Sequence, residues 1–339
     1  MTKLRNYILA NLSSIFFSIF LSLFAIASIV FLIKLSTYTA VMQINVWEMF
    51  KFYIFRVPEL LFFTLPVTFF VASALTFFKL SNENEIIVLF SLGIKPAFLL
   101  QTLLKPALLL SAILFFNFFV IFPHSKVLSS NFVLYKKSEA QFNLSASEFG
   151  NSFGDWLLYL GKKNEDGSFS KVFLFNKKDK EEILIAAKNA NLVNDSGVLR
   201  LKLYNGQGYS YSKEKFTQIN FDSMVINDTM KTDLTVHLQP LEYWLDEKHR
   251  KYKQKMFITD LLLSLFPTIS LFFIAAISIV HSRHQKSQIY LYLFLGVVVY
   301  YGATMGLQKV LGLYTIPVVI IIWVLATYML YRKKVLRRF

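Results

Sequence analysis

The most chemically pointed residues lie at 81–96, which read Ser-Asn-Glu-Asn-Glu-Ile-Ile-Val-Leu-Phe-Ser-Leu-Gly-Ile-Lys-Pro. Two carboxylates, Glu83 and Glu85, precede Ile86, Leu89 and Phe90 in what reads as one short helix. Asn82 is placed to cap that helix with Glu85 three positions on, and both acids suit the positive end of its dipole. Gly93 suits the left-handed residue beyond its C-terminus, and Pro96 the first turn of the next helix. A carboxylate followed by Ile86, Leu89 and Phe90 suits docking into a groove on another protein. The plainer reading is an amphipathic helix lying at a membrane surface. Glu85 speaks against it, because anionic headgroups repel a carboxylate.

A second set of residues is cationic: Lys34, Arg56, Lys126, Lys136, Lys137 and Arg250. Ammonium and guanidinium groups at the level of lipid headgroups can hold phosphates. Taken one at a time, each reads more plainly as a snorkelling anchor that solvates the end of a helix. As a set they weigh differently, since cations are scarce on their side of the membrane and Lys34 closes the first apolar run with no acid before Glu48.

Other chemistry is missing from the sequence or weak in it. There is no Cys, so thiol nucleophiles, disulfides and Cys-ligated metals are excluded. No G-x-x-x-x-G-K-[ST] occurs, so any ATP hydrolysis must come from a partner. His281 and His284 stand three apart between cations and without a third ligand, which reads as a basic loop. Ser111 and Asn117 suit hydrogen bonds between helices, and Glu59 and Asp260 suit ion pairs near a membrane boundary. No nucleophile, base and orienting acid fall together.

The elements that must position these residues are mostly membrane helices. The chain is 55% hydrophobic and holds 36 Phe in 339 residues, too apolar for one soluble core. Runs at 8–33, 57–78, 97–122, 257–280, 289–307 and 313–331 are each about long enough to cross the hydrocarbon layer. The first is far longer than a signal-peptide core and no small-x-small cleavage site follows it, so it is expected to be retained. Lys3, Arg5, Lys79, Lys95, Arg283, Lys286 and the cluster at 332–338 fall on one side, and only Lys34, Lys51, Arg56 and Lys309 occupy the short loops of the other. The positive-inside rule then puts both termini, and Glu85, in the cytoplasm. The formal charge of +15 follows mainly from this topology, and a nucleic-acid partner is not expected.

Between the halves, period-two alternation at Leu199, Leu201 and Leu203, and at Thr217, Ile219 and Phe221, marks strands. Asp166-Gly167, Asp195-Ser196-Gly197 and Asn205-Gly206-Gln207-Gly208 read as turns between them. Residues 181–189 can be read as helix, but Ile183-Leu184-Ile185 between turn signals favours a strand. The spacing predicts a sandwich or jelly roll of about eight strands. The expected layout is spans at 1–123 with the short helix at about 82–92, an extracytoplasmic β domain at 124–255, and spans plus a basic tail at 256–339.

Val57-Pro58-Glu59, Leu65-Pro66, Lys79 to Ile86 and Gly93 in one register resemble the lipopolysaccharide-export permeases of the LptF/LptG type, as do Arg5-Asn6-Tyr7-Ile8 and the three-plus-three split of spans. The architecture is shared over essentially the whole chain, while the sharp motif is confined to 57–96. The family usually has Ser where Asn84 stands and an unbroken Arg-Tyr pair where Asn6 intervenes. Lys79-Leu80 and the basic tail lean towards the F type.

The resemblance implies an inner-membrane, multi-pass permease of a Gram-negative bacterium that pairs with a sister permease on a dimeric cytosolic ATPase. ATP and Mg would be bound by that ATPase, with no cofactor in this chain. Glu85, with Glu83, Ile86, Leu89, Phe90 and Gly93, would form the coupling helix. Lys34 matches the family's lysine at the outer end of the first helix, and the periplasmic jelly roll would pass lipopolysaccharide to a bridge protein with a single membrane helix. Phe16, Phe20, Phe24, Phe62, Phe63, Phe69 and Phe70 could line an acyl-chain cavity, although each alone reads as facing lipid or a neighbouring helix. The alternative class is a membrane-anchored enzyme or sensor whose outer β domain binds a ligand. The lack of ionisable groups in mid-span weighs against it.

Overall fold

A computed structural model describes residues 2–39, 44–142, 151–153, 156–164, 168–178, 181–195, 198–212, 215–227, 240–245, 250–280 and 288–337. They form two compact units: Met1–Ile33, Tyr53–Lys126 and His237–Phe339 make the first, Lys34–Phe52 and Val127–Val236 the second. The second unit shares residues 127–236 with the expected β domain and adds the stretch that follows the first apolar run.

The first unit is helical, and residues 34–39 of its first helix, 46–52 of its second and 127–142 of its fifth belong to the second unit. Long helices α1 (Thr2–Thr39) and α2 (Val46–Asn82) are followed by the short α3 (Glu85–Ser91), then by α4 (Pro96–Phe116), a π turn (Asn117–Ile121) and α5 (Phe122–Phe142). After the sheet come α6 (Pro240–Leu245), α7 (Arg250–Ile269), α8 (Leu271–Ser278), α9 (Ile289–Leu311) and α10 (Thr315–Tyr331). Among the described residues four helical stretches are long and apolar enough to cross a membrane, or five with the bent pair α7–α8 taken as one span. The 48° bend follows from Pro267, which cannot donate to the turn before it. Ser270 at the break is held by Trp323, whose indole nitrogen donates to its hydroxyl at 3.2 Å.

One of the four stretches, Ile289–Leu336, doubles back on itself. The rings of Tyr300 and Trp323 lie 5.0 Å apart and Lys334 sits 4.8 Å over Tyr292. In a straight helix residues 300 and 323 would be about 34 Å apart at about 1.5 Å per residue. The reversal falls at Gly312–Tyr314, where Gly312 takes φ +53°. With α9 and α10 as separate passes, each of the six apolar runs has its own helix.

The second unit holds a six-stranded antiparallel sheet in chain order: β1 (Asn151–Phe153), β2 (Trp156–Lys163), β3 (Phe169–Lys178), β4 (Glu181–Asp195), β5 (Val198–Ser212) and β6 (Lys215–Asn227). Every neighbour follows its predecessor directly, so among the described residues this is a meander, without the crossover of the jelly roll expected from strand spacing. Residues 181–189 are strand, and Asn205-Gly206-Gln207-Gly208 is no turn at all but the interior of β5.

A crease explains that misreading. Pairing is interrupted on one line across the sheet, at Gly161, Lys171, Lys188, Asn205 and Asp222, while the register on both sides stays continuous. Lys171 and Asn205 there take φ of 56° and 50°. At this line the inward-facing residues change from a spacing of two to three: Phe169 to Val172 in β3, Ala187 to Ala190 in β4, Phe221 to Met224 in β6. The inward face thus slips by one residue at the same level in β3, β4 and β6, and because opposing residues still match one to one this is a shared crease and not a bulge in one strand. Glycine is required on the line's flanks, since a Cβ at Gly206 would fall 2.5 Å from the Ala186 carbonyl oxygen.

Candidate functional site

The acid-bearing helix is real, but its boundaries differ from those read in the sequence. α2 runs on through Asn82, and the break is made by Asn84 in the left-handed region at φ 60°, with no side-chain capping bond from it or from Asn82. Asparagine adopts this conformation more readily than most residues. The far end is as expected: Gly93 takes φ +83°, its N–H donates to the Phe90 carbonyl at 3.0 Å, and the N–H of Ile94 donates to that of Leu89 at 3.1 Å. These two bonds are the Schellman arrangement that satisfies the last carbonyls of a helix. Pro96 then opens α4.

The assignment of faces needs correction. Ile86 is completely buried in the helical core, so it seats α3 on the bundle and cannot meet a partner. Phe90 is half-buried and packs on the same core together with Ile94. The apolar side chains presented outward are Val88 and Leu92, 53% and 72% exposed, which the sequence reading passed over. Glu83, Glu85, Val88 and Leu89 line a hollow of about 300 Å³ that Leu4 of α1 completes. The outward stripe is therefore Glu85, Val88, Leu89 and Leu92, spaced three and four apart on one helical face.

Two further contacts fix this corner of the bundle. Ser81 is buried, its hydroxyl donating to the Val280 carbonyl at 2.5 Å and accepting from the Val280 N–H at 3.0 Å, which ties the end of α2 to the residues after α8. Tyr7 of α1 donates to Glu85 Oε1 at 2.9 Å. One turn on, Asn11 Oδ1 accepts from Lys79 Nζ at 3.4 Å, and Arg5 lies 5.3 Å over the Phe98 ring of α4. No local sequence signal joins Tyr7 to Glu85, 78 positions away.

The six expected headgroup cations do not behave alike. Lys34 and Arg250 are exposed. Arg56 pairs with Glu59 at 2.6 Å, the ion pair expected for that acid. Lys126 is half-buried, 5.3 Å and 5.7 Å over the rings of Phe122 and Tyr252. Lys136 is only 5% exposed and pairs with Glu48 at 2.7 Å. The side chain of Lys137 lies outside the described residues, as do His281 and His284. Two of the six are thus matched by an acid, and the ammonium of a third lies over aromatic faces.

The polar residues within the spans do structural work. Ser111 shares a 2.9 Å hydrogen bond with Thr268, and Asn117 at the π turn donates to the Pro58 carbonyl at 3.1 Å. Asp260 is buried, with Lys126 and Glu59 as its charged neighbours. Phe62 and Phe70 are fully buried and Phe69 nearly so, while Phe63 is exposed. Among the described residues no cluster of three His, Asp or Glu side chains could hold a metal.

The family model described as lipopolysaccharide export system permease LptF/LptG matches residues 6–331 of this chain. A comparison with curated proteins gave no significant match. The match takes in every helix from α1 to α10 together with the inserted sheet, leaving only the first residues and the basic tail outside. A multi-pass helical chain with an antiparallel β domain between its halves, matched over nearly its full length, belongs to the LptF/LptG permeases of the lipopolysaccharide export system, transmembrane subunits that lack an ATPase of their own.

Proposed function

We propose that this permease works in the inner membrane beside a sister permease and takes its energy from a dimeric cytosolic ATPase that docks on α3. The observation that supports this most directly is the outward stripe of Glu85, Val88, Leu89 and Leu92 around a hollow, on a helix seated in the bundle by Ile86 and Ser81. An acid flanked by apolar side chains complements a groove with a cationic rim, and a helix fixed at both ends transmits a push to α2 and α4 without bending.

On the opposite side we assign lipopolysaccharide headgroup contacts to Lys34 and Arg250, the exposed cations of the set. Arg56, Lys126 and Lys136 serve the protein's own acids and aromatic rings. Lipopolysaccharide then passes along the β domain to a periplasmic bridge protein.

Co-purification tests the docking reading. Glu85→Lys and Leu92→Asp are expected to abolish recovery of the ATPase from native membranes while leaving the amount of inserted permease unchanged. Normal recovery of the ATPase with both variants would refute docking on α3.

A further inference from the structure

We infer that Tyr7 is a positioning residue for Glu85: it holds the carboxylate that α3 offers to its cytosolic partner and so ties the start of α1 to that contact. The inference rests on the docking reading given above.

The hydroxyl of Tyr7 donates to Glu85 Oε1 at 2.9 Å. Burial does not force this contact, since Tyr7 is 45% exposed and water could solvate both groups. A carboxylate has two oxygens and four lone-pair sites. Occupying Oε1 from the α1 side restricts the rotation of the side chain and leaves Oε2 for a cation entering the hollow. Leu4, one turn before Tyr7, lines that same hollow with Glu83, Glu85, Val88 and Leu89.

The neighbouring contacts show that α1 approaches α3 as a unit. Asn11 anchors its own amide on the Tyr7 carbonyl at 3.1 Å and accepts from Lys79, just before α3. Arg5 reaches Phe98, just after it. Ile8 and Leu12, which directly follow Tyr7 and Asn11, are the side chains of this stretch buried in the core. Three polar contacts from the first three turns of α1 thus land before, on and after the coupling helix. Among them, that of Tyr7 engages the acid assigned to the partner.

The test uses the permease with its sister subunit in lipid nanodiscs containing lipopolysaccharide, titrated with the cytosolic ATPase. Tyr7→Phe removes one hydroxyl and keeps the ring. It is expected to raise the ATPase concentration needed for half-maximal activity about threefold to tenfold, the range for a partly solvated bond to a charged group, with the saturating rate unchanged. In a Glu85→Ala background, which has no acceptor left for the hydroxyl, the same change should add nothing. A Tyr7→Phe titration that overlays the parent, a shift that persists in full beside Glu85→Ala, or a lowered saturating rate or yield would each overturn the inference. If Glu85→Ala itself leaves the titration unmoved, the docking reading fails, and the role of Tyr7 with it.

Discussion

Ile86 and Val88 stand two residues apart on α3 and should separate folding from docking. Ile86 is completely buried in the helical core, so Ile86→Ala removes contacts on every side and leaves a cavity that the close-packed bundle fills only in part. Comparable truncations cost about 2 to 5 kcal/mol, and helices on several sides put Ile86 near the middle, about 3 kcal/mol. Against a total stability of about 5 to 15 kcal/mol that is a large fraction. Val88 is 53% exposed, and the two methyl groups lost in Val88→Ala remove little buried area, below about 0.5 kcal/mol at 25 cal per Å². Thermal unfolding of detergent-solubilised permease, followed by size exclusion, should show a clearly lowered midpoint for Ile86→Ala and an unchanged one for Val88→Ala. ATPase titration should show the reverse for the fraction that remains folded, with Val88→Ala weakened several-fold and Ile86→Ala close to the parent. If Ile86→Ala keeps the parental midpoint but loses the ATPase, the face presented by α3 has been assigned wrongly.

Gly93→Ala tests the helix end separately, because a Cβ there meets nothing within 4 Å and only the φ of +83° resists it. The expected loss is about 1 to 2 kcal/mol, with Gly93→Asn milder, read as faster amide exchange in 85–94. Lys136→Met should destabilise the chain more than the paired change Glu48→Gln with Lys136→Met, because the single variant leaves a half-buried carboxylate without the 2.7 Å ammonium; thermal midpoints of the cycle decide this. Gly206→Ala should open the sheet by about 1 to 3 kcal/mol, since the backbone oxygen of Ala186 cannot move aside without breaking its own strand, and limited proteolysis of β5 reports it. A parental cleavage pattern would show that the crease has slack.

The membrane half of the fold is legible in the sequence because lipid demands long apolar runs, and each of the six has its helix. The cap residue Gly93 and the opening Pro96 are legible for a related reason: φ above zero and a missing N–H leave few residue types to choose from. The facing of α3 is not. Glu85-Ile86-Ile87-Val88-Leu89-Phe90 offers five apolar residues in a row, so there is no period from which to tell Ile86 from Val88. The Tyr7–Glu85 and Ser81–Val280 contacts are equally invisible, since they join residues 78 and 199 positions apart. In the β domain the alternation of Leu199, Leu201 and Leu203 is correctly a strand, but glycines at 206 and 208 imitate a turn, whereas Gly206 is there because the crease leaves no room for a Cβ. The neutralised cations illustrate the same limit, because composition counts Lys136 as a charge facing lipid and only geometry brings Glu48 to it.

The crease also restricts how the length of this domain can change over evolutionary time. A strand with side chains alternating between two faces normally tolerates an insertion or deletion only at its ends. Here neighbouring strands slip by one residue at the same level, so deleting Lys188 alone would turn Ile183, Ile185 and Ala187 away from the core while β3 and β5 kept their facing. Single-residue deletions across Gly161, Lys171, Lys188, Asn205 and Asp222 should therefore be tolerated together or hardly at all. Relatives of this chain should divide into those with a complete crease and those with an unbroken sheet, with few intermediates.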